Sequence, residues 1–322
     1  MSRCRMVLFA GIAALVSATA ASADTTPQAL PFAQDWSNIG LITTDDSWSG
    51  VPGLTGLLGD FPLGIDIDPQ TVVAPGSGTV DVNANQTNPN TNTSGGVAEF
   101  ELTNPTVALQ GSATADAPNV ILYLNTTTQS AVTVSYKLRD IDGSADDAVQ
   151  QVALQYRVGS SGNFTNVPAG YVADATTGPS LAALVTPVNV TLPSAAGNKA
   201  EVQVRIITTN ATGSDEWVGV DDISVTGGAS AVVLSSFAAT RTTKGTLLRW
   251  HAAVESHTLG YNVYRVVNGK RVRLNRTLIR ACTTSVAGGT HSFVDRAARR
   301  GVFWLQSVGL DGSRAWHGSA SV

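Results

Sequence analysis

From Val97 onward, apolar and polar residues alternate along the chain with a period of two. Val132, Val134, Tyr136 and Leu138 are separated by Thr133, Ser135 and Lys137, and Val152, Leu154, Tyr156 and Val158 by Ala153, Gln155 and Arg157. Val188, Val190 and Leu192 repeat the pattern, as do Val202, Val204 and Ile206. Successive side chains of a strand point to opposite faces, so each run predicts an antiparallel strand buried on one side. Turn-forming stretches such as Gly159-Ser160-Ser161-Gly162-Asn163 and Ala195-Ala196-Gly197-Asn198 lie between them. Many strands, frequent turns and no amphipathic helix predict an all-β chain built of stacked sheets.

The spacing of strands changes after Thr226-Gly227-Gly228-Ala229-Ser230, a small, flexible stretch that reads as a linker. Beyond it, strands are predicted at 232–237, 247–250, 261–266, 271–274, 292–295, 302–308 and 314–317. That is the strand count of an immunoglobulin-like or fibronectin type III-like sandwich of about 100 residues, with Trp250 as its core tryptophan. Residues 79–96, rich in Asn, Thr and Gly, predict a long surface loop. The expected organisation is a leader at 1–23, one β-sandwich at 24–226, a linker at 227–230 and a second β-sandwich at 231–322.

The first residues bear on compartment. Arg3 and Arg5 precede an apolar run from Met6 to Val16, and Ala21-Ser22-Ala23 stands before Asp24. This is the layout of a secretory signal peptide cleaved before Asp24, and it predicts a secreted bacterial protein. The apolar run is shorter than the roughly 20 residues a membrane helix needs, and no later segment approaches that length, so no membrane span is expected. Cys4 precedes the apolar run instead of following the cleavage site, which argues against lipid anchoring, and leaves Cys282 as the one cysteine of the mature chain. Without an intramolecular disulfide, stability has to come from buried apolar surface and any bound metal. Composition supplies the means, with 43% hydrophobic and 14% charged residues.

Net charge is −4, but it is unevenly spread. Residues 24–226 hold 21 acidic and 5 basic side chains, whereas residues 227–322 hold 3 and 13. Opposite fields can keep two modules together, or the basic half can meet an anionic partner such as surface polysaccharide or lipid headgroups. Because the Arg residues are dispersed along strands without a dense run, the pairing of the two modules is the preferred reading and an anionic partner, nucleic acid among them, the second; nucleic acid itself is not expected.

Two resemblances rest on particular stretches. Leu30-Pro31-Phe32-Ala33-Gln34-Asp35-Trp36 and Asp215-Glu216-Trp217-Val218-Gly219-Val220-Asp221-Asp222-Ile223-Ser224-Val225 resemble the two ends of a secreted bacterial jelly-roll module. Val152 to Gly159 and Phe164 to Pro168 resemble its interior strands. The module is similar in plan to cleaved-adhesin and MAM-type domains and also accompanies large secreted nucleases. Leu248-Arg249-Trp250, Gly260-Tyr261-Asn262-Val263-Tyr264-Arg265 and Asp311-Gly312-Ser313-Arg314 resemble a fibronectin type III-like module of bacterial surface proteins. The resemblances imply an N-terminal jelly-roll β-sandwich followed by a fibronectin type III-like β-sandwich, acting in adhesion or carbohydrate binding. The alternative they imply is an accessory module or remnant of an extracellular hydrolase or nuclease, beside a secreted catalytic partner.

Candidate chemistry is sparse. If Trp217, Gly219, Asp221, Ile223 and Val225 share one strand face, Asp221 points into an apolar interior and must meet a cation or several N–H donors. The jelly-roll resemblance implies a structural Ca²⁺ held by Asp35 with Asp221 or Asp222; a bulge whose carboxylates accept backbone hydrogen bonds is the equal alternative. Asp140-Ile141-Asp142-Gly143-Ser144-Ala145-Asp146-Asp147 lacks EF-hand spacing and reads as a solvated turn. Trp48 is the candidate ligand-stacking residue, and Trp36 reads as a cap on the core. No H-E-x-x-H, G-x-S-x-G or Walker loop is present, His251 reads as a strand surface residue, and Cys282 reads as an inert thiol. Asp215 and Glu216, adjacent on a strand, point to opposite faces and cannot flank one glycosidic bond without a local bulge. The expectation is a non-catalytic binding protein, associated with extracellular polysaccharide or a cell-surface component.

Overall fold

The computed structural model describes residues 22–143, 148–177, 184–213, 215–229, 232–255, 258–282, 288–297, 300–309, 312 and 314–322. Among these the chain is all-β, with strands joined by loops and by single turns of 3-10 helix. Residues 1–21 of the predicted leader lie outside the described residues. Its last two residues, Ser22–Ala23, pair in parallel with Ser47–Trp48.

Two large sheets form from residues preceding Ser230. One runs in the order Val185–Thr191, Gln129–Asp140, Val218–Ala229, Thr106–Gln110, Gly96–Phe100 and Asn83–Gln86, with Phe32–Gln34 also paired to Val218–Ala229. The other runs Thr165–Asn166, Val152–Val158, Val202–Thr208, Asn119–Asn125 and Gln28–Ala29, with Leu54–Leu57 also on Asn119–Asn125. The alternating residues do what their period demands: Val134, Tyr136, Leu138, Leu122, Leu154, Val204 and Ile206 belong to one buried cluster.

Val202–Thr208 departs from the half-buried expectation, since every residue in it is buried. Its second face is covered by a smaller cluster that includes Phe61, Val72, Ala153 and Ile207. Arg205 lies fully buried under this cover. Its guanidinium donates to Gln155 Oε1 and to the carbonyls of Val72 and Ala74, and it sits 4.0 Å over the Phe164 ring. Burial draws its pKa down to about 9, and the ring of acceptors is what lets a cation occupy that position without a carboxylate.

The 79–96 segment is not a simple surface loop. Asn83–Gln86 is a strand paired in parallel with Gly96–Phe100, and Val82 and Ala84 are buried in the main cluster. Nor do Gly227, Gly228 and Ala229 stand free as a linker: Val218–Ala229 continues through them, with Gly228 opposite Ser130 and Ala229 opposite Gln129. Ser230 lies outside the described residues.

Beyond Val232 the strands form a three-stranded sheet, Val233–Thr242, Gly245–Val254 and Thr290–Asp295, and a five-stranded sheet. The latter runs Lys270–Arg273, Thr258–Val267, Val302–Gly309 and Arg314–Ser321, with Ile279–Arg280 also on Thr258–Val267. They enclose a separate cluster of Leu248, Trp250, Tyr261, Val263, Phe303 and Leu305. Trp250 is fully buried, as its sequence position predicts, with edge-on contacts to Phe237 and Tyr261. Trp250→Ala is expected to destabilise this sandwich by about 3–5 kcal/mol through cavity formation, read as a lower urea midpoint for residues 232–322 by hydrogen exchange.

Candidate functional site

Val218–Ala229 sets the geometry of the acidic pair. Ser135 lies opposite Ser224 and Lys137 opposite Asp221, so two residues, Asp222 and Ile223, face the single Tyr136. This is a bulge, with Asp222 at φ 48°. It exchanges the two faces of the strand: Val218 and Val220 before it, and Ile223 and Val225 after it, all enter the main core. Asp221 and Trp217 consequently lie on the opposite face, and Asp221 does not enter the apolar interior as the unbroken alternation predicts.

Asp221 is nevertheless fully buried, because Arg139 and Asn104 cover it. Its carboxylate accepts from Arg139 Nη1 at 2.9 Å, Asn104 Nδ2 at 2.9 Å and the Asp222 amide at 2.7 Å. Burial outweighs these donors and holds its carboxyl above the ordinary range. Asp222 turns outward to an exposed contact with Lys137 Nζ at 2.5 Å. Asp35 follows the strand that pairs with Ile223–Val225, so Asp35 and Asp222 line one shallow depression. Asp35 is exposed and accepts from the Ser37 amide and hydroxyl at 3.1 and 2.8 Å, which hold its carboxyl below the usual range. These three aspartates therefore answer to protein donors, each to its own, and do not converge as a ligand set.

Trp48 corrects a second expectation. It is fully buried, its indole N–H donates to the Asp81 carbonyl at 3.0 Å, and its ring meets Trp36 edge-on at 6.2 Å. It offers no face to a ligand. Trp36 caps the core, as expected, with its indole N–H on the Val220 carbonyl at 2.8 Å. Burial pushes the carboxyl of Asp81, which meets Trp48 through its carbonyl, up to about 6, and that of Glu99, which accepts from the Asn85 amide at 2.8 Å, up to about 7.

Carboxylates do converge elsewhere. Asp140, Asp142 and Glu216 are all buried, with one oxygen from each within 4.8 Å of the others. The solvated turn expected here is a buried corner at Asp140, Ile141 and Asp142, while Gly143 is exposed; Ser144, Ala145, Asp146 and Asp147 lie outside the described residues. Asp215, next to Glu216, turns away to accept from the Ala211 amide and Gln150 Nε2, each at 2.7 Å. A second group consists of Glu255, Cys282 and His291. Sequence motifs missed both groups, because their members come from strands and loops far apart in the chain. His257 lies outside the described residues, and His251 is exposed, with Nδ1 3.2 Å from the Thr290 hydroxyl.

The most open chemistry lies on the five-stranded sheet. Tyr261, Val263, Phe303 and Leu305 face the core, so their neighbours Tyr264 and Trp304, which are register partners, face away from it. Trp316, opposite Gln306, joins them and is 41% exposed. The Tyr264 and Trp316 centroids are 4.8 Å apart, and those of Trp304 and Trp316 6.3 Å. Arg271 lies 3.7 Å over Trp304 and 4.3 Å over Trp316. Exposed Arg273 and Arg314 border this patch.

No family model matches this chain, and no curated protein matches it. Solved structures similar to it include the K2 cleaved adhesin domain of Lys-gingipain, at 15% identity and TM-score 0.33, covering 62% of this chain and 99% of that one. A carbohydrate-binding module of family 28, specific for non-crystalline cellulose, is 12% identical with TM-score 0.30, over 41% of this chain and 82% of that one. A β-1,2-glucanase from Parabacteroides distasonis is 14% identical with TM-score 0.27; the match takes in 68% of this chain but only 32% of the glucanase. With identities and scores this low, the all-β architecture rests on the strands of this chain itself.

Two outcomes test these environments. Arg139→Met leaves the Asp221 carboxylate buried without its cation and is expected to cost about 3–5 kcal/mol, read by urea denaturation. For Glu99, whose folded pKa is raised, the folded state holds a proton that the unfolded state has lost between about pH 4.5 and 7. Stability is therefore greatest at the acid end of that window and declines as pH rises through it. Asp81 adds the same slope up to about pH 6. The melting midpoint should fall from pH 5 to pH 8, and Glu99→Gln should flatten that fall.

Proposed function

We propose that this chain is a secreted, non-catalytic glycan-binding protein whose platform is the outer face of the five-stranded sheet. The observation that carries this reading is the group of Tyr264, Trp304 and Trp316, gathered on the solvent side of a sheet whose other side already fills the core. Large aromatic side chains normally serve burial. A cluster of them at the surface offers apolar area to a flat ligand, held in place by the Arg271 guanidinium over Trp304 and Trp316 and by the Tyr264 hydroxyl, which donates to Gln306 Oε1 at 2.9 Å. Sugar rings present matching C–H faces.

The charge of the same half narrows the ligand. Arg271, Arg273 and Arg314 ring the aromatic patch, within a segment of 13 basic and 3 acidic residues. Arginine pairs with carboxylate or sulfate in a bidentate manner, so an acidic extracellular polysaccharide fits better than neutral cellulose. Trp316→Ala is expected to weaken binding to an acidic polysaccharide about tenfold or more, on the order of 1.4 kcal/mol, while the melting midpoint stays within a degree or two. Binding unchanged on a polysaccharide array would remove the patch from the site.

Calcium, in this reading, moves from Asp35, Asp221 and Asp222 to Asp140, Asp142 and Glu216. Three carboxylate oxygens held this close together make an all-oxygen donor set, the kind a hard cation takes. A melting midpoint raised by calcium and lowered by chelator supports the metal. A midpoint indifferent to both calcium and chelator removes it.

A further inference from the structure

In the C-terminal sandwich, a second set of donors has a different chemical character. Glu255 ends the run of Gly245–Val254 and is buried. Its Oε1 accepts from the Tyr261 hydroxyl at 2.5 Å and lies 2.5 Å from His291 Nε2, while its Oε2 accepts from the Cys282 amide at 2.7 Å. The His291 ring is held between Trp250, stacked at 5.4 Å, and Tyr261, tilted at 5.0 Å. Cys282 brings an exposed thiol to the same place. The ligating atoms of Glu255, Cys282 and His291 all lie within 4.8 Å of one another.

Gly289 keeps this corner open. A Cβ there would stand 2.5 Å from Cys282 Sγ and 3.5 Å from Glu255 Oε2. The turn that carries it is fixed by the Ala252 amide on the Gly289 carbonyl, at 2.9 Å, and by the Gly288 amide on the Ala253 carbonyl, at 3.1 Å.

We propose that Glu255, Cys282 and His291 form a binding site for a borderline-soft divalent cation, with Zn²⁺ as its natural occupant. One sulfur, one imidazole nitrogen and one carboxylate oxygen are the donor types zinc takes, each about 2.0–2.3 Å from the ion. Hard cations such as Ca²⁺ call for oxygen donors throughout, so this site and the three-carboxylate corner select different metals. The second shell is already in place: the Tyr261 hydroxyl and the Cys282 amide orient the carboxylate, and two aromatic rings fix the imidazole. The exposed thiol provides the way in. On binding, the ion takes the place of the hydrogen bond between His291 Nε2 and Glu255 Oε1, the imidazole stays neutral with its one proton on Nδ1, and the Cys282 thiol gives its proton to solvent to become thiolate. A water completes the fourth position.

The test uses the full chain with Cys4→Ser, so that Cys282 is the sole thiol, and cobalt(II) as the spectroscopic stand-in for zinc. The expected result is about one equivalent of Co²⁺ giving a thiolate-to-cobalt charge-transfer band, displaced by Zn²⁺ and not by Ca²⁺. Zinc should also slow alkylation of Cys282 by iodoacetamide more than tenfold. Because Cys282 is exposed, Cys282→Ser should fold as the parent does, by circular dichroism, and lose both the band and at least tenfold in zinc affinity. A parent chain without the band, alkylation equally fast with and without zinc, or zinc bound as tightly by Cys282→Ser would each overturn the proposal.

Discussion

The bulge at Asp222 is the constraint on which the larger sandwich depends. Val218–Ala229 is bonded along one edge to Gln129–Asp140 and along the other to Thr106–Gln110 and Phe32–Gln34. A strand so placed cannot slip, and a single extra residue within it decides which side chains the core receives. Before the bulge the even-numbered valines turn inward, and after it the odd-numbered Ile223 and Val225 do. The cost is a non-glycine residue in the left-handed region at Asp222, tolerable because aspartate adopts that conformation more readily than most residues. The same shift of phase leaves an acidic side chain, Asp221, sealed beneath Arg139 on the other face.

Much of the architecture is legible in the sequence because strands write a simple code. The runs at Val132, Val152, Val188 and Val202 are strands, and Trp250 is the centre of the second core. The failures share a physical origin. Alternation is read one residue at a time, and a bulge changes its phase without changing its composition, so the pattern predicts the wrong face for Asp221. The Asn-rich segment before Gly96 looks empty because Val82 and Ala84, the two residues that anchor it, are few against a polar background. Trp48 looks available only because it lies outside a regular run; in the folded chain it fills the space between the sheets.

The candidate sites are less legible than the fold, and for a related reason. Tyr264, Trp304 and Trp316 come from three strands, and their adjacency depends on register that no local window contains. Glu255, Cys282 and His291 come together only once Thr258–Val267 has crossed from one sheet to the other. Between them these groups sort the chain's chemistry by place: oxygen donors in the acidic half, and sulfur, imidazole and exposed aromatic rings in the basic half.

The short strand Lys270–Arg273 lies at the margin of its sheet, bonded to Thr258–Val267 on one side and with no neighbouring strand on the other among the described residues. A free margin of this kind invites a second chain to extend the sheet. Here three of its four residues are cations, all exposed, so another copy of the same margin would arrive with charge of the same sign. The arginines beside the aromatic patch thereby also guard against edge-to-edge association, and replacing them removes a safeguard as well as a contact. The tryptophans carry no such second duty, and the sheet can lose one of them and still refuse its own kind.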